Sequence, residues 1–157
     1  MADDKRTVSG TQEWAATNVN IQRGCSHGCV YCYAHANAQR FKQLGDGQTW
    51  GEEVINRTAV EKAYGFRPSG TIMFPTTHDI VPANLDEATT VLRKMLASGN
   101  RVLVVSKPHL ACIQRLCAEL EEWKDNVLFR FTIGAMRDET LLFWEPGAPA
   151  FEEPRAP

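Results

Sequence analysis

An α/β fold of repeated strand–helix units is predicted for this chain by three observations. Val102-Leu103-Val104-Val105 is an unbroken apolar run, the mark of a parallel strand covered on both faces. Leu85, Ala88, Val91, Leu92, Met95 and Leu96 recur at helical spacing before it, and Leu110, Ile113, Leu116, Cys117, Leu120 and Trp123 do so after it. Two-residue alternation appears at Val19 and Ile21 and again at Val127, Phe129, Phe131 and Ile133. Strands alternating with helices imply parallel pairing through right-handed crossovers, here about four βα units.

The bulk properties agree with one folded unit. A chain of 157 residues is long enough for a single core, and 43% hydrophobic with 23% charged residues is a globular composition. Seventeen basic against nineteen acidic residues give a formal charge of −2, so charge offers no case for nucleic acid. Met1 to Arg6 carries acids with no apolar run behind it, unlike a signal peptide. No segment approaches the roughly 18–20 apolar residues of a membrane span. The expectation is a soluble cytoplasmic protein with no membrane partner.

In chain order, residues 1–13 read as a polar N-terminal segment, ordered where it touches the core, and 14–157 as the domain. Asn18 to Arg23 reads as the first strand, running into Gly24. A helix over 34–44 follows, with Ala34, Ala38, Phe41 and Leu44 on one face, ended by Asp46-Gly47. Within 48–68, Val60 and Tyr64 point to a short late helix. Thr71-Ile72-Met73-Phe74 is a buried strand closed by Pro75. Asn84 and Glu87 have the spacing of a capping box for the next helix, which Gly99 stops. Pro108 suits the first turn of the helix after the apolar strand. The strand from Val127 to Ile133 is expected to be an open edge, with a helix following from near Pro149.

The stretch with chemistry is Cys25-Ser26-His27-Gly28-Cys29-Val30-Tyr31-Cys32, whose C-x3-C-x2-C spacing lets one loop aim three thiolates at a common centre. Gly24 and Gly28 suit the tight backbone of such a wrap. A four-iron cluster usually has four cysteine ligands, and three leave one iron open to a substrate or cofactor. The alternatives are a Cys3His zinc site using His27 or His35, and a disulfide. Zinc sites usually pair two separated ligand couples, and no second couple exists here. A disulfide is disfavoured in a reducing compartment. Cys112 and Cys117, five apart on a helix, point about 140° from one another and read as structural thiols, with Cys117 on the apolar face.

Strand ends in a βα array share one rim. That rim collects the cysteine loop, His78-Asp79, Ser106-Lys107 and Thr132. Tyr31, His78, Asp79, Ser106, Lys107 and Thr132 are therefore the candidate cofactor-binding residues, and no catalytic residue is assigned. Two of them have simpler readings: His78 as a loop residue bonded to backbone and oriented by Asp79, and Lys107 as a solvated cation. Tyr31 would pack beside the metal and limit solvent. Asn20, Gln22, Arg130 and Thr132 would face the interior, while His27 and His35 default to the surface.

Further stretches carry a resemblance: Gly10-Thr11-Gln12-Glu13-Trp14-Ala15, Phe74-Pro75-Thr76-Thr77-His78-Asp79-Ile80, Val105-Ser106-Lys107-Pro108-His109-Leu110, Arg130-Phe131-Thr132-Ile133-Gly134 and Phe143-Trp144-Glu145-Pro146-Gly147-Ala148-Pro149. With the cysteine loop, they make the chain resemble a bacterial, archaeal and phage family similar to spore photoproduct lyase, within the radical S-adenosylmethionine (radical SAM) superfamily. The resemblance covers about residues 10–153. It implies a partial (βα)6 barrel, of which about four parallel units are present. It also implies a [4Fe-4S] cluster on Cys25, Cys29 and Cys32, with SAM chelated at the open iron. The implied activity is a lyase- or oxidoreductase-type enzyme. It cleaves SAM reductively to a 5′-deoxyadenosyl radical, which takes hydrogen from an unidentified substrate. The implied partner is an electron donor such as a ferredoxin or flavodoxin; nucleic acid follows from the family alone. Two departures stand out. Thr76-Thr77-His78-Asp79 occupies the place of the superfamily's Gly-Gly-Glu segment. The family's barrel also continues past Trp144-Glu145-Pro146, so the chain is expected to be the N-terminal part of a truncated domain. The reading from a different class is a non-catalytic iron–sulfur or zinc module from a truncated gene.

Overall fold

The computed structural model describes residues 10–150; the predicted tail from Phe151 and the start of the polar segment lie outside them. Its elements are strands β1 (Thr17–Asn18), β2 (Gln22–Arg23), β3 (Val54–Ile55), β4 (Ile72–Phe74), β5 (Val102–Ser106) and β6 (Val127–Phe131). The helices are α1 (Tyr33–Arg40), α2 (Arg57–Glu61), α3 (Leu85–Ala97), α4 (Leu110–Glu119) and α5 (Asp138–Trp144). The fold is α/β. Four parallel strands form one sheet in the order β1-β4-β5-β6, so strands adjacent along this array are adjacent in space.

The α3 and α4 helices cover one face of this sheet. Ile72, Phe74, Val102 and Val104 meet Val91, Leu92, Met95, Leu96, Cys112 and Leu116 there, all buried, with Val127 and Phe129 packed beside them. Met73, Leu103 and Val105 alternate to the opposite face, where Ala15 covers part of them. Among the described residues, the apolar run of β5 is thus covered by helices on one side only. No helix among the described residues is long and apolar enough to cross a membrane.

Several local expectations are corrected. The predicted strand from Asn18 to Arg23 is two short strands. β1 pairs in parallel with β4, whereas β2 turns away to pair antiparallel with β3. The bend falls at Asn20, whose side-chain carbonyl accepts from the Thr76 and Thr77 amides at 2.7 and 3.0 Å. Asn20 is therefore a loop brace, and Gln22 is buried against Gly24 and Asn84. Helix α1 stops at Arg40, with Lys42 left-handed and Phe41 61% exposed; Leu44 reaches the Ala34–Ala38–Trp50 cluster from outside the helix. Asn84 does not cap α3. A 3-10 turn precedes the helix, and the fully buried Asn84 amide turns back to Gln22 and to the Asp79 carbonyl. Glu87 pairs with Arg57 at 2.9 Å instead. On α4 the two thiols do point apart, but Cys112 is the core residue and Cys117 is exposed. The helix after the fourth strand is α5, well before Pro149.

Candidate functional site

The cysteine loop is held from both sides by backbone. On one side, the Cys25 amide donates to the Trp50 carbonyl at 2.9 Å and the Ser26 amide to the Glu53 carboxylate at 3.0 Å. Gly24 sits at φ 87°, and a Cβ there would overlap the Trp50 and Glu52 carbonyls, so only glycine fits. On the other side comes the end of α5. The Val30 amide donates to the Trp144 carbonyl at 2.9 Å, and the Gly147 amide to the His27 carbonyl at 2.8 Å. A Cβ on Gly147 would strike the backbone of Ser26 and His27. Cys32 then caps α1, its sulfur accepting from the His35 amide at 3.4 Å.

The loop opens onto the sheet face that α3 and α4 leave free. A cavity of about 960 Å³ lies there, lined by Cys25, Cys29 and Cys32 together with residues that follow β4, β5 and β6. Tyr31, His78, Asp79, Lys107 and Thr132 line it too, so five of the six predicted rim residues converge; Ser106 does not. Gly10–Glu13 forms a 3-10 turn on the cavity's other flank, and Trp14 carries the Arg130 guanidinium 4.0 Å above its ring. Arg130 and Thr132 face the cavity as expected.

Convergence does not leave these side chains free. Ser106 is buried, its hydroxyl accepting from the Ile80 amide at 2.9 Å and donating to the Lys107 carbonyl at 3.2 Å, so it is a structural brace. His78 is buried against the link between β1 and β2. Its Nε2 accepts from the Ile21 amide at 3.2 Å, so its Nδ1 carries the proton and donates to the Asp79 carbonyl at 3.1 Å. Burial holds its pKa below the ordinary value, and it stands as a neutral brace. The Asp79 carboxylate accepts from His27 Nδ1 and from the Lys107 amide, each at 2.8 Å. Burial opposes its charge, but His27 and Lys107 outweigh that and keep its pKa below the usual value.

His27 is not a surface residue. It is 1% exposed, with Nδ1 on Asp79 and Nε2 2.9 Å from His109 Nε2. Burial works against its charge, but hydrogen bonds to Asp79 and Cys25 overcome it and raise the pKa to about 9. Lys107 is not solvated either. Its Nζ lies 2.7 Å from Glu145 Oε1, with the two side chains 6% and 1% exposed. The contact is a charge pair rather than an aligned hydrogen bond. Burial pushes the Glu145 carboxyl up, and burial likewise raises the Cys29 thiol to about 11 against the pull of Lys107. Tyr31 stands half-exposed at the mouth, tilted against Trp144 with ring centres 6.5 Å apart. Among the described residues, Cys25, His27 and Asp79 form a group of metal-type donors, all within 4.8 Å of one another.

Sequence reading considered His27 only as a zinc ligand or a surface residue, and it missed His109, Glu145 and Gly147. Glu145 and Gly147 had a signal in the Pro146-Gly147 turn, which marks a chain reversal but not what it grips.

No protein-family model matches the chain, and no solved structure does. It is similar to the uncharacterized protein ORF301 of Acidianus two-tailed virus, 26% identical over 146 residues, which are 87% of this chain and 47% of the viral protein. The chain thus spans about half the length of that relative.

Proposed function

We propose that the chain is a radical SAM enzyme core, with Cys25, Cys29 and Cys32 holding a [4Fe-4S] cluster and SAM bound beside it. The observation that carries this is that all three cysteines of the C-x3-C-x2-C loop line one cavity, where the parallel strands end on the face that α3 and α4 leave free. The residues suit the group. Ligands of a cube stand at separate iron corners, so their sulfurs must face one space without crowding together. The cavity lies within the roughly 300–1,000 Å³ of small-molecule sites, which leaves room for a cofactor beside the loop. The sequential strand order is that of a singly wound barrel segment and supports the partial (βα)6 reading.

When bound, the cluster and SAM supply one-electron reduction and hydrogen-atom abstraction. The protein's own residues orient and enclose. Backbone bonds from Trp50, Trp144 and Gly147 fix the loop, Tyr31 and Trp14 shield the cavity, and Thr77, Arg130 and Thr132 offer polar groups to SAM and a substrate. His78 and Asp79 act through the loops that they brace.

A single-ion site without turnover is favoured by one observation, the Cys25–His27–Asp79 grouping. Against it, both His27 nitrogens and both Asp79 oxygens already have partners, which an ion would displace. Anaerobic reconstitution separates the two. The cluster reading expects about four iron and four sulfide per chain, lost in Cys25→Ala, Cys29→Ala and Cys32→Ala but kept in Cys117→Ala. It also expects a reduced-state paramagnetic resonance signal altered by SAM. Stoichiometric zinc with no cluster would establish the ion site instead.

A further inference from the structure

We propose that the buried Lys107–Glu145 ion pair sets the cluster's reduction potential, Lys107 presenting a positive charge to the cysteines and Glu145 partly neutralising it from behind. This rests on the cluster reading above. Lys107 stands between two cavities. It lines the large one with Cys25, Cys29 and Cys32, and a second of about 340 Å³ that Glu145 lines and the cysteines do not. The pair is therefore an oriented dipole with its positive end toward the loop. Its Nζ lies 6.0 Å from the ring centre of Tyr31, between Cys29 and Cys32 in the chain. Both charges are nearly sealed from water, where Coulomb interactions act with little screening. Adding one electron to a cluster makes it more negative, and net charge nearby is one of the quantities that set such potentials. Lys107 favours the reduced form and Glu145 limits that bias.

Glu145 is also fixed in place relative to the ligands. It sits between Trp144 and Gly147, the two residues that bond the cysteine loop through backbone. A change at position 145 thus alters charge near the loop without removing the backbone clamp.

The test is an anaerobic redox titration with dithionite and low-potential mediators, following the reduced cluster by paramagnetic resonance. Four chains are compared: unmodified, Glu145→Gln, the double variant Lys107→Met/Glu145→Gln, and Lys107→Arg. Glu145→Gln should shift the midpoint positive, and the double variant should move it back below the unmodified value. Lys107→Arg, which keeps the charge, should leave it in place. A merely structural role would lower the melting temperature of these variants and leave their midpoints equal. Equal midpoints, or a negative shift in Glu145→Gln, overturn the proposal while leaving the cluster reading intact. If Glu145→Gln holds no cluster, the double variant decides, since it leaves no unpaired buried charge; a midpoint at or above the unmodified value overturns the proposal. Absence of a cluster from the unmodified chain overturns both.

Discussion

On the helix-covered face of the sheet, Ile72, Phe74, Val102 and Val104 meet Leu92, Met95 and Leu116, and the buried Ser106 at the end of β5 is bonded to backbone. On the opposite face, the same strands present Met73 and Val105 beside Arg130 and Thr132, under an open cavity ringed by charges. Here charges are neutralised in pairs, His27 by Asp79 and Lys107 by Glu145, each pair joining a loop to a loop or to a helix end. One face is packed with apolar side chains throughout, whereas the other sets a small apolar cluster around Ala15, Met73 and Leu103 beside paired charges. Site chemistry can therefore be altered on one face while the other keeps the fold.

The largest effect should come from the covered face. Leu92 is fully buried, so Leu92→Ala should cost about 2–5 kcal/mol in urea unfolding. On the proposed cluster reading, reconstitution at low temperature should still give the cluster. Loss of the site with the fold intact would break the division.

A smaller, pH-dependent effect should mark the cavity face of the apo-protein. The His27 pKa is raised from 6.5 to about 9, so the folded chain holds a proton that the unfolded chain has released. The stability from this charge is fully present below about pH 6.5 and is lost as pH rises through about 9, on the order of 3 kcal/mol. Unfolding curves between these pH values should show the fall, and Asp79→Asn should flatten it. A pH-independent stability would place His27 with the neutral braces, like His78.

The smallest effect should be at the rim. Trp14 is 54% exposed beneath Arg130, and Trp14→Ala should cost no more than about 1 kcal/mol. On the proposed reading, its readout is SAM affinity, expected to weaken. A stability loss as large as that of Leu92→Ala would show that the cavity face carries core packing as well.

The two faces were not equally legible in the sequence. The covered face announces itself through periodicity: β5, α3 and α4 follow from apolar spacing alone, as does the parallel order. The cavity face was legible where a motif marks it, at the three cysteines, and where strand ends must converge, at Asp79, Lys107 and Thr132. What each polar residue touches there was not legible, because partners such as His27, Asp79 and His109 come from three separate loops. Cys112 and Cys117 show the limit on the covered face too. The spacing says that they diverge, but a helix with Leu110 and Ile113 on a wide apolar arc does not say which thiol faces the sheet. The bend at Asn20 was hidden because Val19 and Ile21 alternate correctly for a strand whose continuation is removed by a side-chain bond to Thr76 and Thr77.

The clamp on the cysteine loop has a consequence for how the chain matures. Trp144 and Gly147 lie near the far end of the described chain from Val30 and His27, and contacts of such separation bear the largest loop-closure entropy and form late. During synthesis, the cysteines leave the ribosome well before the residues that will hold them, so the nascent segment carries its thiols on a loosely held loop. On the proposed cluster reading, stable metal loading is expected only after α5 and Gly147 have emerged and closed on the loop, and chains stalled before α5 should emerge with thiols that alkylating reagents modify readily.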